Sequence, residues 1–102
     1  MITRIVKMQF DKDKIEDFVD LFHHVKSKIL AMRGCVSLEL LQDTEQPGIF
    51  FTYSTWKSLQ DLENYRSSPF FRETWTKTKS YFIERPEAWS TVELFSSQKE
   101  KE

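Results

Sequence analysis

Only two glycines and three prolines occur among 102 residues, so Gly34, Pro47, Gly48, Pro69 and Pro86 are the natural breaks between segments. One cysteine, Cys35, excludes an internal disulfide and a thiolate zinc cluster. The expectation is a reduced, cytoplasmic protein, since MITRIVKMQF at the N-terminus lacks the apolar core and small-residue cleavage site of a secretory signal. No apolar run approaches the ~18 to 20 residues of a membrane span. Charge of one sign is also lacking: 15 basic and 16 acidic side chains leave a formal charge of -1. The broad positive field that favours nucleic acid or an anionic membrane is absent, and neither is expected as a partner.

Aromatic residues, by contrast, are abundant: nine Phe, three Tyr and three Trp make up 15% of the chain. A chain of this length has few fully interior positions. Part of that apolar surface is expected to meet a small-molecule ligand or a second subunit.

The breaks punctuate one domain, residues 1–95, followed by a polar tail, 96–102, expected to be disordered. Residues 2–10 alternate, with Ile2, Arg4, Val6, Met8 and Phe10 on one side, and predict a strand. Ile15, Phe18, Val19, Phe22, Val25 and Ile29 recur at helical spacing, and Gly34 is a natural stop. His23 falls at the edge of that stripe, where a histidine could act as a general base or simply be a half-buried helix residue. Residues 35–42 and 49–56 read as two strands joined across Pro47-Gly48. A short helix begins at Ser58, and a further helix opens at Ser68-Pro69 with Phe71, Trp75, Thr78 and Phe82 along one face. Residues 88–95 form the final strand.

Strand, helix, strand, strand, helix, strand is the α+β, ferredoxin-like split βαβ order: a four-stranded antiparallel sheet with helices on one face. The segment 49–56 is apolar on both faces, with Phe50, Thr52, Ser54 and Trp56 on one and Ile49, Phe51, Tyr53 and Thr55 on the other. Helices cover only one face, so a homodimer through the opposite sheet face is expected.

Arg4 is the chemical oddity of the first strand. A charge facing an apolar layer is costly unless paired, so Arg4 either meets a carboxylate such as Glu39 or Glu93 or addresses an anionic substrate. Trp56 shares a strand face with Phe50 and Ser54, and Tyr65 and Trp75 lie on the following helices. Each is a candidate pocket residue with a competing reading as core. Cys35 reads as packing and KSLQDLENYR (57–66) as a solvated helix face. No GxGxxG, phosphate-binding loop or CxxC occurs, and no cofactor or metal is expected.

IEDFVDLF (15–22), RGCVSLELLQD (33–43), FFTYSTWKSLQDLENY (50–65), SSPFFRETW (67–75) and PEAWSTVEL (86–94) together resemble the antibiotic biosynthesis monooxygenase superfamily of dimeric α+β barrels. Relative to that pattern, Trp56 keeps the aromatic of an E-x-W run, whereas Ser54 replaces its glutamate and Tyr65 and Phe70 replace two histidines. The haem-degrading branch uses an axial histidine and a strand-one asparagine, and Trp75 and Thr3 stand at those positions. The resemblance implies a cofactor-independent monooxygenase acting on a small planar aromatic or quinol-type molecule. The substrate-binding candidates are Arg4, Phe50, Ser54, Trp56, Tyr65, Phe71 and Trp75, and the catalytic candidates are Arg4, Tyr65 and His23. A non-catalytic binding protein of the same fold, and third an isomerase of small hydroxy-ketones, remain alternatives.

Overall fold

A computed structural model describes residues 1–98. The alternating first segment forms β1 (Ile2–Gln9), and a 3-10 turn at Lys12–Lys14, capped by the Asp11 side chain, leads into α1 (Ile15–Leu30). The helix buries Phe18, Phe22, Val25 and Ile29 along one stripe, as the helical spacing dictates. It ends before Gly34, whose φ of +84° suits glycine; a Cβ there would also collide with the Asp61 side chain. Strands β2 (Cys35–Gln42) and β3 (Ile49–Trp56) follow as an antiparallel pair. Asp43 shapes their turn, its carboxylate accepting from the Glu45 and Gln46 amides, and these bonds hold its pKa below the usual value.

Helices α2 (Leu59–Arg66) and α3 (Pro69–Lys79) come next, before β4 (Glu87–Val92). Ser58 and Ser68 cap the two helices through hydroxyl oxygens that accept from the Asp61 and Phe71 amides. Helix α3 stops at Lys79, so Phe82 does not continue its inward face as its spacing suggested. Instead Phe82 forms an isolated bridge with Phe10 beyond the end of β1, and its ring packs 5.2 Å from that of Phe10. The last strand is shorter than predicted, leaving Leu94 and Phe95 outside the sheet and exposed. Residues 96–98 carry no helix or strand, and the remainder of the expected tail, 99–102, lies outside the described residues.

The sheet order is β2-β3-β1-β4, antiparallel throughout. This is the ferredoxin-like α+β arrangement. Register sets the two faces: Arg4 pairs with Ser54 and Ser90, and Val6 with Thr52 and Ala88, so these side chains share the helix-covered face. The other face presents Ile5, Phe51, Tyr53 and Trp89, and Tyr53 and Trp89 remain exposed.

One end of the helix-covered layer is filled by phenylalanine. Phe10 stacks on Phe18 at 4.1 Å, and Phe50 meets both rings edge-on at 5.7 and 5.3 Å. With Met8 and Phe22 these make the buried core. Complete burial of such rings contributes several kcal/mol at ~25 cal/mol/Å² and fixes α1 on the sheet.

Candidate functional site

Toward the Arg4 end of the same layer the packing opens into a cavity of about 380 Å³. That lies at the small end of the ~300 to 1,000 Å³ typical of ligand pockets. Its floor is the sheet, with Arg4, Val6 and Met8 from β1 and Thr52, Ser54 and Trp56 from β3. Helix α1 supplies an aliphatic and phenylalanine wall through Leu21, Phe22, Val25 and Ile29. The opposite wall comes from α2 and α3 and holds Tyr65, Arg66, Phe71 and Trp75.

The aromatic side of this wall is continuous. Trp56, wholly buried, stacks on Tyr65 at 5.0 Å; Tyr65 meets Phe71 edge-on at 5.0 Å; Phe71 stacks on Trp75 at 5.9 Å. Trp75 then touches Phe82 at 5.6 Å, which links the pocket wall to the phenylalanine core. Trp56 is fixed at both faces of its function in the fold: its ring packs under α2, and its Nε1–H donates to Ser54 Oγ at 3.0 Å. Ser54 is itself buried, so this bond satisfies the indole donor where water does not reach.

The charged side chains of the lining are Arg4 and Arg66. Arg4 is half-buried, and no carboxylate among the described residues lies within 4.0 Å of it; Glu39 and Glu93 are not its partners. The register explains the first of these: Glu39 pairs with Tyr53 on the sheet face away from the helices. Arg4 Nη1 instead donates to Ser90 Oγ at 2.9 Å. Burial pulls the Arg4 pKa down, the neighbouring charge of Arg66 adds to this, and Glu63 works in the opposite direction. Arg66 itself reaches Glu63 Oε1 at 3.2 Å. Burial also pushes the Tyr65 hydroxyl well above its ordinary pKa, so at neutral pH it is a phenol and a hydrogen-bond donor. The Cys35 thiol is raised by burial too, which favours its protonated form.

Of the residues singled out from sequence, Arg4, Ser54, Trp56, Tyr65, Phe71 and Trp75 are brought together around the cavity. Phe50 is not; it lies in the phenylalanine core at 3% exposure. His23 stands on the solvent side of α1, with Nδ1 3.0 Å from Lys26 Nζ, and does not reach the cavity. A stripe's edge defined by spacing alone places a side chain only within about one helical turn of the boundary. Arg66 was hidden within a run read as a solvated face. Its position one residue after Tyr65 at the end of α2 is the only signal that marks it in sequence.

The fold and the apolar, arginine-edged cavity define a ferredoxin-like α+β pocket protein. A family model described as antibiotic biosynthesis monooxygenase matches residues 1–77, and the chain belongs to that family. No curated protein matches its sequence. Among solved structures, the chain is similar to Rv0793 from Mycobacterium tuberculosis (TM-score 0.86, 15% identity, 95% of this chain and 98% of that one). It is also similar to a conserved protein from Methanosarcina mazei Go1 (TM-score 0.83, 23% identity, 89% and 91% covered). A third is a mutant of SnoaB, a cofactor-independent oxygenase from Streptomyces nogalater (TM-score 0.84, 13% identity, 93% and 94% covered). At these identities the likenesses establish the fold.

Two outcomes follow from the geometry. Ser54→Ala strands the buried indole donor and should cost about 1 to 3 kcal/mol in urea unfolding. Adding Trp56→Phe, which removes that donor, should then cost less than the sum of the two single changes; strict additivity would contradict the bond. Second, because the folded Tyr65 pKa is raised, its contribution to stability is present below the unfolded value of about 10 and is lost as pH climbs above it. The urea midpoint of wild type should therefore fall relative to that of Tyr65→Phe as pH is raised through about 10 and above, and parallel curves would refute this.

Proposed function

We propose that this protein binds a small planar aromatic or quinol-type molecule in the cavity between sheet and helices and oxygenates it without metal or flavin. The single observation that carries the reading is the cavity itself, walled by Trp56, Tyr65, Phe71 and Trp75 with one half-buried guanidinium, Arg4, at its polar end. The family and the cofactor-independent oxygenase among the structural neighbours support the reaction class.

In such chemistry the substrate, as its phenolate or enolate, is the reductant. For an anthrone-type methylene, two hydrogens leave, one oxygen atom of O2 becomes the new carbonyl, and the other departs as water. All four electrons come from the substrate, so the protein need only desolvate the ring, favour its anion and hold it in place. Arg4 is the group suited to stabilise the anion, since its charge sits beside low-dielectric aromatic walls. Tyr65, a phenol at neutral pH, can donate to a substrate oxygen but cannot take its proton.

Ser54, Tyr65 and Phe70 standing where the family pattern has glutamate and histidines favours a second reading, a non-catalytic binding protein on the same scaffold. Oxygen uptake with an anthrone or quinol on metal-free protein separates them. The expected result is turnover that falls at least about tenfold in Arg4→Gln; melting-temperature shifts without oxygen uptake would favour binding alone.

The protein is also read as a homodimer through the sheet face bearing Ile5, Phe51, Tyr53 and Trp89, because exposed contiguous apolar surface of this kind usually marks an interface. Light scattering should give twice the chain mass, with Trp89→Glu shifting it toward monomer. A monomeric wild type in dilute solution would sink this reading.

A further inference from the structure

Two arginines, not one, edge the cavity. Arg4 rises from the central strand and Arg66 from the last turn of α2, and both are among its lining residues. Arg66 is exposed, so the cavity meets solvent at its side. The partners of each are slight. Arg4 spends one N–H on the Ser90 hydroxyl, and Arg66 makes a single 3.2 Å contact with the half-exposed Glu63. A guanidinium carries five donors in a planar fork, so both retain most of their capacity. A solvent-exposed ion pair of this kind is worth little and can be exchanged for a better-placed acceptor.

The charges do not cancel. Among the described residues, two guanidiniums against one carboxylate leave an excess of one positive charge beside a cavity whose lining is otherwise uncharged. The two guanidiniums also repel one another, and that repulsion is part of what lowers the Arg4 pKa. Two cations lining the edge of one largely apolar pocket are relieved by one permanent monoanion. A planar carboxylate accepts from two guanidinium forks at once, whereas a neutral ring leaves them unrelieved.

We propose that the ligand of this pocket is an aromatic carboxylate, its carboxylate clamped between Arg4 and Arg66 and its ring lying along Trp56, Tyr65, Phe71 and Trp75. This rests on the pocket reading given under Proposed function and adds the charged group that selects among planar molecules. Glu63 holds Arg66 until the carboxylate displaces it.

Binding of 2-naphthoate and of its uncharged analogue 2-naphthamide, measured by calorimetry on the full chain, tests the clamp. Wild type should bind naphthoate about tenfold or more tightly than naphthamide, a preference that weakens as salt is raised. Arg66→Gln, at an exposed helix end where folding is not at stake, should remove most of that preference, with naphthoate binding falling much further than naphthamide binding. Arg4→Gln should likewise weaken naphthoate binding and reduce the preference. Equal binding of the two compounds by wild type, or an unchanged preference in Arg66→Gln, overturns the clamp while the aromatic pocket stands. Binding of neither compound overturns the pocket reading together with the clamp.

Discussion

Everything in this protein is organised by the double pairing of β1, which lies between β3 and β4 and is hydrogen-bonded on both edges. A central strand cannot slip by one residue without turning all its side chains over. Its alternation therefore fixes which face of the whole sheet the helices cover. Arg4, Val6, Met8 and Phe10 run along that face, from a charged end to an aromatic one. The phenylalanine end is solid and the arginine end is open, so the strand that anchors the fold also grades it from core to pocket.

The abundance of aromatic residues takes on a definite form once placed. Trp56, Tyr65, Phe71, Trp75 and Phe82 make a chain of ring contacts that joins the phenylalanine core at Phe10. Rigid rings with few rotatable bonds can keep a cavity open beside a packed core, because they lose little side-chain entropy in holding their positions. Ser54 contributes to the same rigidity. Where the family pattern has a glutamate, its hydroxyl instead holds the Trp56 indole, so the position serves the wall of the pocket.

Much of the fold is legible in the sequence. The period-two pattern of residues 2–10, the helical stripe from Ile15 to Ile29 and the strand bounds 35–42 and 49–56 correspond closely to the observed elements, because each is a local signal repeated several times. The candidate site was legible in part. Arg4 and Trp56 announced themselves through strand alternation, Tyr65, Phe71 and Trp75 through helix spacing. Phe50 shares the strand face of Ser54 and Trp56, yet it lies at the filled end of the layer, and face alone does not say which end. Phe82 continues the α3 spacing, but the backbone leaves the helix at Lys79 and Phe82 bridges Phe10 just beyond β1, a contact of high sequence separation that periodicity does not register.

The sequence by itself determined the class of the molecule, the order of its elements and the face on which its few odd residues lie, since those follow from local period and from the positions of glycine and proline. Only the tertiary structure decided that Arg4 meets Ser90 instead of a carboxylate, that His23 faces solvent, and that Arg66 joins Arg4 at the cavity. The first depends on the register of β4 against β1, and the other two on how α1 and α2 rotate and seat upon the sheet. That seating is set by the summed packing of many side chains, and no single residue or spacing records it.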